Sequence, residues 1–144
     1  MGYGKQACAE IFGRSESGGV FETYMGPVFE DCSVQYLWRS AKNNSRFKYI
    51  GRWWGPNPKA KQEEEIDILA ADGRGNTLFG ECKWKNSRTG SDVLAELVRK
   101  SELFPAVSKK KYILFSKSNF SGGLVKEADR RGDTVLVGLS QFFN

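Results

Sequence analysis

The sequence predicts a mixed α/β fold, a single mixed sheet with helices on both faces. Three observations carry that reading. The 144 residues suit one domain. Helical patterns and short apolar runs follow one another in the order α-β-β-β-α-β-α-β. A glycine-bearing turn joins two early strands as a hairpin, whereas the last two strands are separated by the length of a parallel crossover. The sheet is therefore expected to contain both kinds of pairing.

Each element has its own signal. Residues 1–19 are polar, include Gly13-Arg14-Ser15-Glu16-Ser17-Gly18-Gly19, and read as a linker or adaptor. The domain is placed at 20–144. Val20, Tyr24, Val28, Phe29, Cys32, Tyr36 and Leu37 follow helical spacing as far as Ser40. Pro27 either starts a new helix or kinks a longer one. Phe47–Trp54 reads as an aromatic strand closed by Gly55-Pro56-Asn57-Pro58. Glu64–Ala70 and Asn76–Trp84 flank Asp72-Gly73-Arg74-Gly75, where glycine supplies the positive φ of a tight turn. Ser91 is placed as the cap of a helix reaching Phe104, with Pro105 as its stop. Tyr112–Phe115 and Thr134–Val137 are strands, Leu124–Arg130 is the helix between them, and Leu139–Phe143 is a terminal turn.

Composition narrows the chemistry. Histidine is absent, which excludes Ser-His-Asp and Cys-His nucleophiles, histidine bases and His-liganded zinc within these residues. The cysteines at 8, 32 and 82 form no Cys-x-x-Cys pair, so no disulfide framework or structural zinc is expected, a reducing cytoplasm is the default, and Cys32 and Cys82 read as small core residues. No run is long enough to span a membrane, and the first residues lack the apolar stretch of a signal peptide. Lys and Arg number 22 against 17 Asp and Glu. Residues 1–83 balance, with 11 of each sign, and residues 84–144 carry 11 basic and 6 acidic side chains. The excess includes Lys109-Lys110-Lys111, and it suits a nucleic-acid surface as well as an ordinary solvated face.

The hairpin supplies candidate chemistry. With Arg74 at the centre of the turn, facing residues have numbers summing to 148, so Asp67 lies opposite Glu81 and Glu65 opposite Lys83. Alternation places all four on one face, with Ile66, Ile68, Cys82 and Trp84 on the other, against the helix after the hairpin. Facing carboxylates repel unless they share a proton or a cation. Such a pair beside a lysine suits phosphodiester hydrolysis: the carboxylates hold Mg²⁺ or Mn²⁺, and the lysine orients water or steadies negative charge. The plainer alternative is a solvated hairpin face with a Glu65–Lys83 ion pair. Gly80 inside a strand favours the site, because glycine there marks close approach.

Asp67 followed by Glu81-Cys82-Lys83 resembles the signature of the PD-(D/E)XK nuclease-like superfamily. Gly26-Pro27-Val28-Phe29-Glu30 resembles the helix before its sheet, which often offers another acid. Ile50-Gly51-Arg52-Trp53-Trp54-Gly55, Glu65-Ile66-Asp67-Ile68, Gly80–Trp84 and Tyr112–Lys117 together resemble the uncharacterised C-terminal domain of archaeal-type DEXX-box ATPases. The resemblance implies a restriction-endonuclease-like αβββαβ core. It assigns Asp67 and Glu81 as catalytic metal ligands, Lys83 as the catalytic lysine, and Glu30 as a further ligand; Glu65 is added from the hairpin register. Mg or Mn would be the cofactor, nucleic acid in the form of DNA the substrate, and an upstream ATPase domain the partner. The superfamily's Pro-Asp is here Ile66-Asp67, a departure shared by many members.

These residues contain no Gly-x-x-x-x-Gly-Lys-Ser/Thr loop, so any ATPase site belongs to other residues of the parent protein. A catalytically silent module that docks nucleic acid or regulates the ATPase stands as the rival expectation. Of Trp53 and Trp54, adjacent in a strand, at least one belongs to the core. Cys82 should point away from Glu81 and Lys83.

Overall fold

The computed structural model describes residues 22–41 and 47–143. The expected linker at 1–19 lies outside them, as does the polar stretch at 42–45. The order read from sequence is observed: α1 (Glu22–Ala41), β1 (Tyr49–Asn57), β2 (Gln62–Ala71), β3 (Asn76–Lys83), α2 (Ser91–Ser101), β4 (Lys109–Ser116), α3 (Gly122–Arg131) and β5 (Thr134–Gly138), then a 3₁₀ turn over Leu139–Phe143. The five strands lie side by side in sequence order. β1, β2 and β3 are antiparallel, and β3, β4 and β5 are parallel. α2 and α3 are the two crossovers.

Several boundaries differ from expectation for local reasons. α1 passes through Pro27 as one helix, with the proline in its second turn at the loss of one i→i−4 hydrogen bond. β1 continues through Gly55 and Pro56, which an edge strand tolerates. Gly90, not Ser91, is the N-cap of α2, and the helix stops at Ser101. Its Asp92 in the first turn and Arg99 and Lys100 in the last suit the helix dipole. α3 begins at Ser121, whose Oγ accepts from Leu124 N at 3.1 Å, and ends on Gly132 at φ 73°.

Two apolar clusters hold the layers. Phe29, Cys32 and Leu37 of α1 meet Ile68, Ile113, Phe115 and Val137, with Cys82 and Trp84 packed alongside. Leu94 and Leu97 of α2 and Leu124 of α3 meet Ile66, Phe79, Tyr112 and Leu114 on the other face. A fully buried side chain of this size stabilises the fold by about 1.5–3 kcal/mol. Of the expected apolar face, Ile68 is buried and Cys82 and Trp84 are half-buried, but against α1 and not against the helix after the hairpin. Only Ile66 reaches α2. Trp53 is the core tryptophan, 4.9 Å from Phe104 between ring centroids, and Trp54 is exposed. Cys32 is buried as expected, but it is disulfide-bonded, contrary to the expectation that the cysteines form no disulfide framework.

The separation of Ile66 from Ile68 has a cause. Gly51 pairs with Leu69, and the next printed pair is Trp53 with Ile66. β1 has advanced two residues and β2 three, so β2 carries an extra residue opposite Arg52. This β-bulge lies at Asp67-Ile68 and reverses the alternation beyond it. Gly80 also finds its reason here. A Cβ on it would lie 2.9 Å from Ile68 Cβ and 3.0 Å from Ile113 Cγ2. The glycine admits neighbouring side chains, not a ligand.

Candidate active site

The hairpin turn sets the register. Gly73 and Gly75 have φ of 78° and 91°, and Asp72 Oδ1 accepts from Arg74 N at 2.7 Å. Ala71↔Thr77, Ala70↔Leu78, Leu69↔Phe79 and Ile68↔Gly80 all sum to 148, as read from sequence. The backbone ladder stops there. Beyond it the side chain of Asp67 takes over, with Cys82 N donating to Asp67 Oδ2 at 3.0 Å. The strands open at the bulge, and an acidic side chain fills the opening.

Asp67 and Glu81 meet at this opening. The Glu81 side chain is 12% exposed and hydrogen-bonds to Asp67. Burial, then the Asp67 charge, pushes the Glu81 carboxyl up to about 8. Two cations oppose that shift. Lys100 Nζ lies 3.8 Å from Glu81 Oε2, and Lys83 Nζ lies 3.9 Å from Glu81 Oε1. Both distances are ion-pair approaches rather than hydrogen bonds. Desolvation and like charge prevail, so Glu81 keeps its proton at neutral pH.

Glu30 stands at the edge of this group. Burial, then Asp67, raises its carboxyl, while Arg52 lowers it through a 2.9 Å contact from Nη2 to Oε1. Glu65 is not brought in. It pairs with Trp54 on β1, is exposed, and sits past the bulge, where its neighbour Glu64 faces α2. The expected Glu65–Lys83 opposition fails because of that one extra residue. Cys82 packs beside Ile68 and Phe29, and burial followed by Asp67 keeps its thiol protonated.

Sequence reasoning missed two residues, Lys100 and Arg52. A lysine in the last turn of a helix reads as an ordinary solvated cation. Its signal would have been the crossover that lays α2 across β3. Arg52 was visible only as part of a motif. Among the described residues, no three His, Cys, Asp or Glu side chains form a metal-binding cluster. The donors that fit a divalent ion are the two carboxylates Asp67 and Glu81. The raised Glu81 carboxyl marks the crowding of charge a cation would relieve, and Mg²⁺ accepts one or two carboxylates with water completing its shell.

A cavity of about 430 Å³ lies elsewhere. Tyr36, Leu37, Asp72, Lys109 and Lys111 line it at the turn end of the hairpin. The lysine run is at that end also. Asn76 pairs with Lys109 and Lys83 with Ser116, which separates the run from Lys83 by roughly 23 Å of strand. The C-terminal excess of charge is thus not one basic face.

Residues 8–96, more than half of the chain, match the family described as "Archaea bacterial proteins of unknown function", DUF234. The chain belongs to the DUF234 family. No curated protein matches it. Among solved structures, this DUF234 chain is similar to AF1548, a protein of unknown function, at 20% identity and TM-score 0.54; the match covers 76% of the chain and 59% of AF1548. VC1899 from Vibrio cholerae is 17% identical with TM-score 0.59, over 82% of the chain and 31% of VC1899. The MspJI restriction endonuclease, solved with a 27-mer oligonucleotide, is 12% identical with TM-score 0.52, over 98% of the chain and 33% of MspJI. The chain thus spans less than two thirds of each of these proteins. The fold of this DUF234 member is a restriction-endonuclease-like α/β fold.

Proposed function

We propose that this chain is a metal-dependent, nuclease-like domain that binds and hydrolyses DNA. The observation that carries the reading is the Asp67–Glu81 pair beside Lys83, buried where the β2–β3 ladder opens. Asp67 and Glu81 would hold Mg²⁺ or Mn²⁺, with Glu30 at the margin. Such an ion polarises a phosphate and lowers the pKa of bound water. Lys83, with its side chain 38% exposed, would orient water or steady charge on a phosphate oxygen. Lys100, buried deeper at 15%, fixes the Glu81 carboxyl from the opposite side. The MspJI likeness supports DNA as the substrate class through fold alone.

The test is Mn²⁺ titration by calorimetry on the parent chain and on Asp67→Asn, followed by cleavage of labelled DNA. Binding by the parent and loss of it in Asp67→Asn support the reading. No heat from either chain hands the reading to the silent module. One observation favours that alternative: Lys83 and Lys100 already lie beside Glu81, at 3.9 and 3.8 Å, where a cation would otherwise sit. The motif resemblance further supports attachment to a DEXX-box ATPase in the parent protein. Residues 1–144 contain no phosphate-binding loop that could supply its site.

A further inference from the structure

The loops after β3 and β4 are joined to each other. Thr89 N donates to Asn119 O at 3.0 Å, and Ser121 N donates to Thr89 O at 2.9 Å. Thr89, fully buried, also donates through Oγ1 to Ser116 Oγ at 2.8 Å. Ser118 Oγ donates to Lys85 O at 2.6 Å, and Lys117 N to Lys83 O at 3.0 Å. The Lys117 ammonium lies 4.7 Å over the Trp84 ring and donates to Asn86 Oδ1 at 2.9 Å. Two loops that each could move alone are one platform, and it begins at the residue after Lys83.

The charge carried by the two loops themselves is of one sign, with the Asp92 carboxylate of α2 at their edge beside Gly90. Residues 84–90 and 117–123 contain Lys85, Arg88 and Lys117 and no Asp or Glu, and the first turn of α3 that follows is also free of acid. Arg88 is exposed, and so are Asn86, Ser87 and Asn119, whose amides and hydroxyl can donate to oxygen. Gly122 and Gly123 present open surface, since a Cβ on either would meet nothing within 4 Å. Side-chain cations fixed on a rigid base, with neutral donors between them, suit a row of phosphates.

We propose that this platform is the backbone-binding surface of the domain. It seats one strand of a DNA duplex so that the strand runs on to Lys83 and the carboxylate pair. The proposal rests on the nuclease-like reading of that pair. It also locates DNA away from Lys109 and Lys111, the run most prominent in the sequence. Contact here is to phosphate and sugar, so it sets position and not base preference.

The experiment measures anisotropy of a short labelled DNA duplex across a salt series, in the absence of divalent ion. The chains compared are the parent, Lys85→Ala, Arg88→Ala, Gly123→Glu and the double variant Lys109→Ala/Lys111→Ala. Each lost platform cation should weaken binding several-fold and reduce the salt slope by about one. Gly123→Glu should weaken binding while its melting temperature holds, because its surroundings are open and an acid suits a helix start. The double variant should bind like the parent. Parent-like binding by the platform variants, or an equal loss in the double variant, overturns the platform and leaves the nuclease-like reading standing. Tighter binding of duplex RNA than of DNA overturns the choice of partner. A parent chain that binds neither overturns both proposals.

Discussion

Glu81 holds its proton because burial and Asp67 outweigh Lys83 and Lys100, and that balance makes stability depend on pH. Its folded value, about 8, is above the ordinary 4.5, so between these values the folded chain holds a proton that the unfolded chain has lost. Stability from this group is fully present below about pH 4.5 and is lost as pH rises towards 8. Chemical denaturation from pH 5 to 9 should show that decline, and Glu81→Gln should flatten it. A parent with the slope of Glu81→Gln would mean the carboxyl is not held neutral. Metal binding must displace the same proton. Mn²⁺ affinity should therefore climb with pH up to about 8, approaching tenfold per unit, and calorimetry in two buffers should show proton release.

At the scale of elements, two contacts set the hairpin against its neighbours. Gly80→Ala should cost about 1–3 kcal/mol in denaturant titration, because the new methyl has only the space held by Ile68 and Ile113. An unchanged midpoint would show that β3 has room to shift. Beyond the bulge, Arg99 of α2 grips Glu64 with Nη1–Oε2 at 2.7 Å and Nη2–Oε1 at 2.9 Å, and it also contacts Glu96. The Arg99 hydrogen bonds, then Asn57, hold the Glu64 carboxyl down at about 2. This clamp stabilises above the ordinary carboxylate value of 4.5 and is lost as pH falls towards 2. Arg99→Met should cost about 2 kcal/mol at neutral pH and little in strong acid. Equal losses at both pH values would assign the effect to packing of the stem.

The hairpin was legible because the turn glycines and the alternation agree on one register, which four observed pairs follow. The bulge was not. Ile66 and Ile68 are both apolar, so alternation reads unbroken through the point where the strand gains a residue. Glu65 was misplaced for that reason alone. Asp67, Glu81 and Lys83 were legible together because a hairpin makes them neighbours by local geometry. Lys100 was not, since its approach depends on how a crossover helix lies across the sheet.

For the whole molecule, a ligand that binds only the folded state raises its stability by mass action. Mn²⁺ at a hundredfold excess over its dissociation constant adds about 2.7 kcal/mol, a rise of roughly 6–10 °C in melting temperature for a chain of this size. Asp67→Asn should gain little from Mn²⁺, because it loses one of the two carboxylates that would hold the ion. Equal gains in both chains would remove Asp67 from the ligand set.

The mixed pairing of the sheet also orders events in time. Asp67 and Glu81 are on one antiparallel hairpin, which closes through a four-residue turn between β2 and β3. Lys100 arrives only with α2, in a crossover that must close before β4 can lie parallel to β3. Local closure is fast and non-local closure slow. The two acids therefore face each other before the helix lysine reaches them, and the nascent hairpin must bear their repulsion with Lys83 alone. Protons that neutralise this pair would speed the early step, and the crossover would then relieve what remains. Assembly of the site is in this sense a relay, in which local geometry concentrates charge and distant geometry later disperses it.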